Sequence, residues 1–278
     1  MQTKVRGTIA GVFLWTASIA SALPGPDPVS DAVGATAGEF RVDESGAGTY
    51  RIPLYAAPGT AGVAPEMALA YSSQGGVGAL GKGWSITGGS SIVRCRATRE
   101  AGDFLSGGVP VDGNPGPVDF SANDRFCLDG QRLVPAPGGA PACPAISLMT
   151  AANLRTEIET WSRVCAYTPN SSVDGPEFFT VARKDGSISW YGKRADAVSR
   201  PDGYVETTAP GHGAKAVAWA LTRFQDSTGN YIDYLYLENP EATARGEHLL
   251  SEVRFTGKTV LAGQSGTPLD PYAKLVFN

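Results

Sequence analysis

The stretch FFTVARKDGSISWY, residues 178–191, is where the fold is most legible. Phe178 to Lys184 and Ser187 to Tyr191 are β-rich runs separated by Asp185-Gly186. An Asp-Gly pair tolerates the left-handed backbone of a tight turn, so the stretch predicts a β-hairpin with a type I′ connection. The pattern continues on both sides. Upstream, Thr49 to Tyr55 and Met67 to Ser72 flank the turn signal Pro58-Gly59, and Met67, Leu69 and Tyr71 fall on one face of a strand. Downstream, the turn Asp226-Ser227-Thr228-Gly229 leads into Tyr231 to Leu237, where Ile232, Tyr234 and Tyr236 share a face, and Leu249 to Phe255 follows as a further strand.

Residues 154 to 164 fit two periods. Leu154, Ile158, Trp161 and Cys165 would line a helix, whereas Ile158, Thr160, Ser162 and Val164 alternate, and the β-branched Thr156, Ile158 and Thr160 favour a strand. Glycine (35) and proline (20) are abundant, methionine (3) is scarce, and the Gly- and Pro-dense segments 103–118 and 135–145 read as surface loops. These features give an all-β chain with few or no helices.

The first 22 residues have the form of a cleavable export signal. Lys4 and Arg6 precede the apolar stretch Ile9 to Ala20, and Ala20-Ser21-Ala22 offers small residues at a cleavage site. That stretch falls short of the roughly 20 apolar residues of a spanning helix, so no transmembrane segment is expected in the mature chain. Residues 23–39 read as a Pro-, Gly- and Ala-rich leader, and 40–278 as the folded domain. The chain carries 23 Lys+Arg against 27 Asp+Glu, a net −4; loss of the two basic residues in the signal leaves −6. Nucleic acid is therefore not an expected partner, since phosphate binding calls for a basic face.

Cys95, Cys127, Cys143 and Cys165 are even in number and follow an export signal, which points to disulfides. Zinc is disfavoured by the absence of a Cys-x-x-Cys spacing. Three pairings are possible, and proximity in sequence favours Cys95 with Cys127 and Cys143 with Cys165.

Several patterns invite a catalytic reading and lose to a plainer one. Gly76, Gly78 and Gly81 match G-x-G-x-x-G, but no βαβ unit surrounds them, and Gly83 stands where a phosphate loop needs a hydroxyl. His212 and His248, the two histidines, lie in no nucleophile motif, and no G-x-S-x-G occurs. Glu157 and Glu159, with Trp161 as a sugar platform, would lie about 7 Å apart on a strand, yet solvated surface charges explain them as well. Asp226 to Asp233 lacks the ligand order of a calcium loop and reads as a hairpin turn. No catalytic, cofactor or metal residue is assigned, and no enzymatic activity is expected of the segment.

Ordered blocks of sequence then carry a resemblance. GTYRIPL from Gly48, PGTAG from Pro58 and LAYSSQGGVGALGKGWSITGGSSIVR from Leu69 to Arg94 resemble the SpvB-type N-terminal domain. That domain also begins the TcaC-type B component of insecticidal toxin complexes and many exported Rhs or YD-repeat proteins. DRFCLDGQRLV (Asp124 to Val134), WALTRFQDSTGNYIDYLY from Trp219, LLSEVRFTG from Leu249 and PYAKLVF from Pro271 are similar to later blocks of the same family. The resemblance implies curved, sandwich-like sheets forming part of an Rhs-type shell that encloses or presents a C-terminal virulence effector. The partners it implies are the repeats and effector of a full-length protein, toxin-complex subunits or a host surface. Ala273 to Phe277 reads as the start of a strand, so the chain is expected to be the front of a longer protein. With the signal and the cysteines, the expectation is an exported protein at the cell surface or outside it, passing through the periplasm. The alternative is an adhesion module that binds glycan or receptor through 103–118 and 135–145; a cryptic secreted hydrolase ranks below it.

Overall fold

Three-residue turns set several hairpins of this chain. In the computed structural model, which describes residues 37–96, 105–106, 109–110, 118, 120, 124–171, 175–193, 203–206, 215–238 and 248–277, the first of them is at Asp43. The Asp43 carboxylate accepts the Ser45 and Ala47 amides, both at 2.9 Å, and Gly46 supplies the positive φ of 81°. This turn joins β1 (Glu39–Val42) to β2 (Gly48–Pro53). β3 (Ala68–Ser72) follows; β4 (Val77–Gly78) and β5 (Gly81–Lys82) form a small hairpin, and β6 (Trp84–Thr87) completes an antiparallel sheet in the order β1-β2-β3-β6. The expected export signal 1–22, the expected leader up to residue 36, most of segment 103–118 and His212 lie outside the described residues.

The next strands form a meander that returns on itself. β7 (Ser91–Cys95) is followed by the short pair β8 (Leu105–Ser106) and β9 (Val109–Pro110), then by β10 (Arg125–Leu128), β11 (Gln131–Pro135), β12 (Met149–Thr156), β13 (Arg163–Pro169), β14 (Phe178–Ala182) and β15 (Ile188–Gly192). Each of β11 to β15 pairs antiparallel with the one before it, and β10 pairs with β7. β16 (Tyr204–Glu206) is a short flank to β17 (Ala216–Gln225), and β17 closes the ring. Its first half pairs with β7 through Trp219↔Ile92, and its second half pairs with β15 through Leu221↔Tyr191. Eight described strands thus form an up-and-down barrel, a size that side chains alone can fill. The expected all-β fold holds, and its largest sheet closes on itself. The one helical element among the described residues is a single 3₁₀ turn at Thr60–Gly62.

The register decides which side chains fill the barrel. Ile92, Leu128, Leu133, Val164, Ala166, Phe179, Val181, Tyr191, Trp219 and Leu221 alternate along their strands and form one buried cluster. Trp219 is fully buried at its centre, edge-on to Phe126 (5.4 Å), Phe179 (4.9 Å) and Tyr204 (6.2 Å). Its Nε1–H donates to the Pro176 carbonyl at 3.0 Å, so the indole is buried without an orphaned donor. Gly192 ends β15 beside it with φ 83°, where an added Cβ would lie 2.5 Å from Trp219 Cδ1.

β18 (Asn230–Glu238), β19 (His248–Lys258) and β20 (Ala273–Val276) extend the sheet from β17. Ile232 and Tyr234 are buried and Tyr236 packs beside them, the face expected from the alternation. Thr256, at φ 79°, is the extra residue of a bulge in β19, and its hydroxyl accepts the Tyr272 amide at 3.0 Å.

Two local expectations change. The 178–191 hairpin forms, but Asp185 does not adopt positive φ. Arg183 and Ser187 are bonded across a three-residue turn in which Gly186 alone is left-handed (φ 82°). The type I′ turn lies at Asp129-Gly130 between β10 and β11, with φ of 47° and 83°. Residues 154–164 are not one strand: β12 ends at Thr156, a turn spans 157–162, and β13 starts at Arg163.

Gly192→Ala is expected to cost roughly 1–3 kcal/mol or more, because overpacking against Trp219 adds to a left-handed backbone. Gly46→Ala, where a Cβ meets nothing within 4 Å, should lose about 1–2 kcal/mol from φ alone. Urea unfolding midpoints followed by tryptophan fluorescence check the order.

Candidate functional site

The glycines Gly76, Gly78 and Gly81 lie in the β4–β5 hairpin, and no helix follows them. The loop is closed by the Gly83 amide donating to the Gly76 carbonyl (2.8 Å) and by the Ser72 amide donating to the Gly83 carbonyl (2.9 Å). A Cβ on Gly83 (φ 80°) would lie 2.6 Å from the Tyr71 ring, so close packing explains this glycine without a phosphate. The hairpin borders an open groove of about 780 Å³ lined by Tyr50, Tyr71, Val77 and Trp84 together with the polar Thr49, Arg51 and Ser72, and Arg41 in the same lining pairs with Glu39.

Glu157, Glu159 and Trp161 fall in the β12–β13 turn rather than on a strand. Glu159 Oε1 accepts the Trp161 amide at 2.7 Å, its other oxygen lies 3.9 Å from Arg155, and Trp161 is 71% exposed. The Glu159 carboxylate thus serves its own turn. Asp226 behaves likewise. Partial burial works to raise its pKa, but hydrogen bonds from Asn230 and Thr228 prevail and hold it below the usual carboxylate range. With its oxygens bonded at 2.8–3.0 Å by the loop, the turn is self-sufficient. His248 stacks on Tyr236 with ring centroids 4.2 Å apart. Among the described residues no group of three His, Cys, Asp or Glu is placed to hold a metal ion, and no helix is long and apolar enough to cross a membrane.

The four cysteines form Cys95–Cys127 and Cys143–Cys165, the pairing that proximity favoured. The first ties β7 to β10. The second pins residues 136–148 across the outer wall of the barrel, over Tyr167 and Phe178, whose rings stack at 4.6 Å. Asn153 Nδ2, Tyr167 Oη and Arg163 Nη1 donate to the carbonyls of Pro141 (3.0 Å), Pro144 (3.2 Å) and Ala142 (3.3 Å), so loop 135–145 is a fixed strap.

Two buried polar clusters were not foreseen. Arg94 points into the barrel, bonded to Asp124 (3.2 Å) and through Nε to the Ala216 carbonyl (2.6 Å), with its guanidinium over the rings of Phe126 and Trp219. Arg94 lies three residues from Ser91 in a short apolar strand, and only the inward register of Ile92 could have revealed it. The second cluster is Tyr191, Tyr234 and Tyr236. Burial pushes all three phenols up, that of Tyr234 to about 12, and Tyr191 raises both others further.

The architecture, a filled eight-stranded barrel with an appended four-stranded sheet, recurs as one part of larger toxin chains. The crystal structure of TcdB2-TccC3 aligns with a TM-score of 0.63 and 21% identity, over 87% of this chain and 12% of that chain. The Photorhabdus luminescens Tc holotoxin pore aligns with a TM-score of 0.63 and 21% identity, over 88% and 11%. This chain therefore spans about an eighth of the length of the first of these. The N-terminal domain of effector protein SpvB from Salmonella typhimurium strain LT2 aligns with a TM-score of 0.53 and 25% identity, over 82% of this chain and 72% of that one. In sequence, residues 42–102 match the family SpvB, Salmonella virulence plasmid 65kDa B protein. No curated protein matches the chain.

Two outcomes are expected. Arg94→Met should destabilise by about 3–5 kcal/mol by stranding a buried carboxylate, and Arg94→Met with Asp124→Leu should recover much of the loss; denaturant titration of the three variants checks this. The raised phenol pKa values mean that the folded state favours neutral tyrosine. Their stabilisation is therefore complete below the unfolded value near 10, and it is lost as pH rises through the folded values, to about 12 for Tyr234. Absorbance of tyrosinate against pH should show these residues ionising only together with unfolding.

Proposed function

We propose that this chain is a non-enzymatic structural segment at the front of an exported, toxin-like Rhs/YD-repeat protein. In this reading it contributes wall to a β-shell that encloses or presents a C-terminal effector. The observation that carries the reading is one of proportion: a fold covering 87% of this chain accounts for 12% of TcdB2-TccC3. A domain used in this way works by what it packs against. β20 pairs only with β19 among the described strands, and its far edge offers unpaired backbone groups to a following strand. Tyr272 (72% exposed) and Val276 (48%) beside it would gain roughly 25 cal/mol for each Å² of apolar surface covered. Residues 1–22 direct export and are removed after Ala22, and the two disulfides suit the oxidising space that follows.

The DNA that follows the codon for Asn278 tests the shell role. The reading frame is expected to continue into Tyr-Asp repeats and then a non-repetitive effector; a stop codon at that point overturns the proposal. Export is tested separately by mass spectrometry of the culture medium. A secreted chain beginning at Leu23 is expected, and an uncleaved chain confined to the cytoplasm contradicts it.

A further inference from the structure

The outer wall of the barrel carries a trough that the shell role does not use. Outward residues of three neighbouring strands lie in register: Arg163, Ala182 and Ile188 form one row, and Cys165, Thr180 and Trp190 the next. The middle column is small, Ala182 and Thr180, and Ile188 and Trp190 rise along one side of it. On the other side stand Arg163 and the strap, which contributes Pro144 and Ile146, and the Tyr167–Phe178 stack closes one end. The open trough holds about 290 Å³, near the lower size of small-molecule sites.

Arg163 brings the one charge to this apolar lining. Its Nη1 donates to the Ala142 carbonyl (3.3 Å), which anchors the guanidinium on the strap side of the trough. A guanidinium beside apolar walls favours a ligand that joins an anion to an apolar body, because its bond to a carboxylate is charge-assisted. We propose that this trough binds a small hydrophobic carboxylate, an aryl or branched-alkyl acid, with the acid on Arg163 and the apolar body on Ala182 between Trp190 and Ile146. The strap wall exists because Cys143–Cys165 holds it, so binding depends on that disulfide and not on Cys95–Cys127.

The test uses the disulfide-intact chain and phenylacetate, with phenethylamine as the cation of matching shape, followed by the indole N–H resonance of Trp190. Saturable shifts with phenylacetate and none with phenethylamine are expected. Arg163→Met should weaken binding at least tenfold. Ala182→Leu, which fills the floor without touching the strap, should abolish it, as should Cys143→Ser with Cys165→Ser. Cys95→Ser with Cys127→Ser should leave it intact. Equal binding of the amine, no saturable binding of the acid, or an affinity indifferent to both Arg163→Met and Ala182→Leu overturns the proposal.

Discussion

The indole of Trp219 is the contact on which the rest of the barrel depends. β17 has to serve two neighbours, β7 through its first half and β15 through its second, and Trp219 sits where those halves meet. Its ring packs edge-on against Phe126 and Phe179, which also meet each other at 5.1 Å, and its one polar atom is satisfied by Pro176. A smaller residue would leave a cavity across the seam, with a cost on the order of 3–5 kcal/mol. The neighbouring backbone has yielded to it: Gly192 is left-handed and carries no Cβ because the ring occupies that place.

The polar features of the interior follow from that packing. Arg94 lies flat over the aromatic cluster because its charge is met by Asp124 and its Nε by the Ala216 carbonyl. The Asp129 carboxylate accepts the Ser91 amide (2.9 Å) and the Ser90 hydroxyl (2.6 Å), and Ser90 bonds in turn to the Tyr191 hydroxyl at 3.0 Å. A turn at the rim is thereby fixed to a tyrosine of the core. Outside, the Cys143–Cys165 disulfide acts with the hydrogen bonds from Asn153, Arg163 and Tyr167 to hold the strap over Tyr167 and Phe178.

Local chemistry was legible in the sequence and closure was not. Alternation and Asp-Gly signals located the 178–191 hairpin, the 230s strand and its partner. The turn type at Asp185 was misread because its carboxylate accepts the Ser187 amide (2.8 Å), which holds a three-residue turn together. At Asp129 the carboxylate is spent on the neighbouring strand instead, a tertiary contact no local rule contains. The 154–164 segment misled because its β-branched residues lie on both sides of a turn, with Trp161 at φ 57°. Pairing of Ile92 with Trp219 joins residues far apart in the chain, and nothing in either strand announces it. The glycine-rich blocks between Gly48 and Arg94 fall within the 42–102 family match, so there the resemblance was readable from ordered motifs. Arg94 was hidden because its partners come from segments far apart in the chain, and the Arg163 trough because its strap wall is set by a disulfide and cross-loop hydrogen bonds rather than by strand alternation.

The proposed wall role calls for a rigid unit with a usable edge; closure of the barrel gives a rigid unit, and β20 has an edge with no partner among the described strands. Closure itself is open to direct measurement by cross-strand nuclear Overhauser contacts in the folded chain. Contacts between Tyr191 and Leu221 and between Ile92 and Trp219 are both predicted, since the ring needs each seam. Retention of the second contact with loss of the first would describe an open sheet and contradict the account.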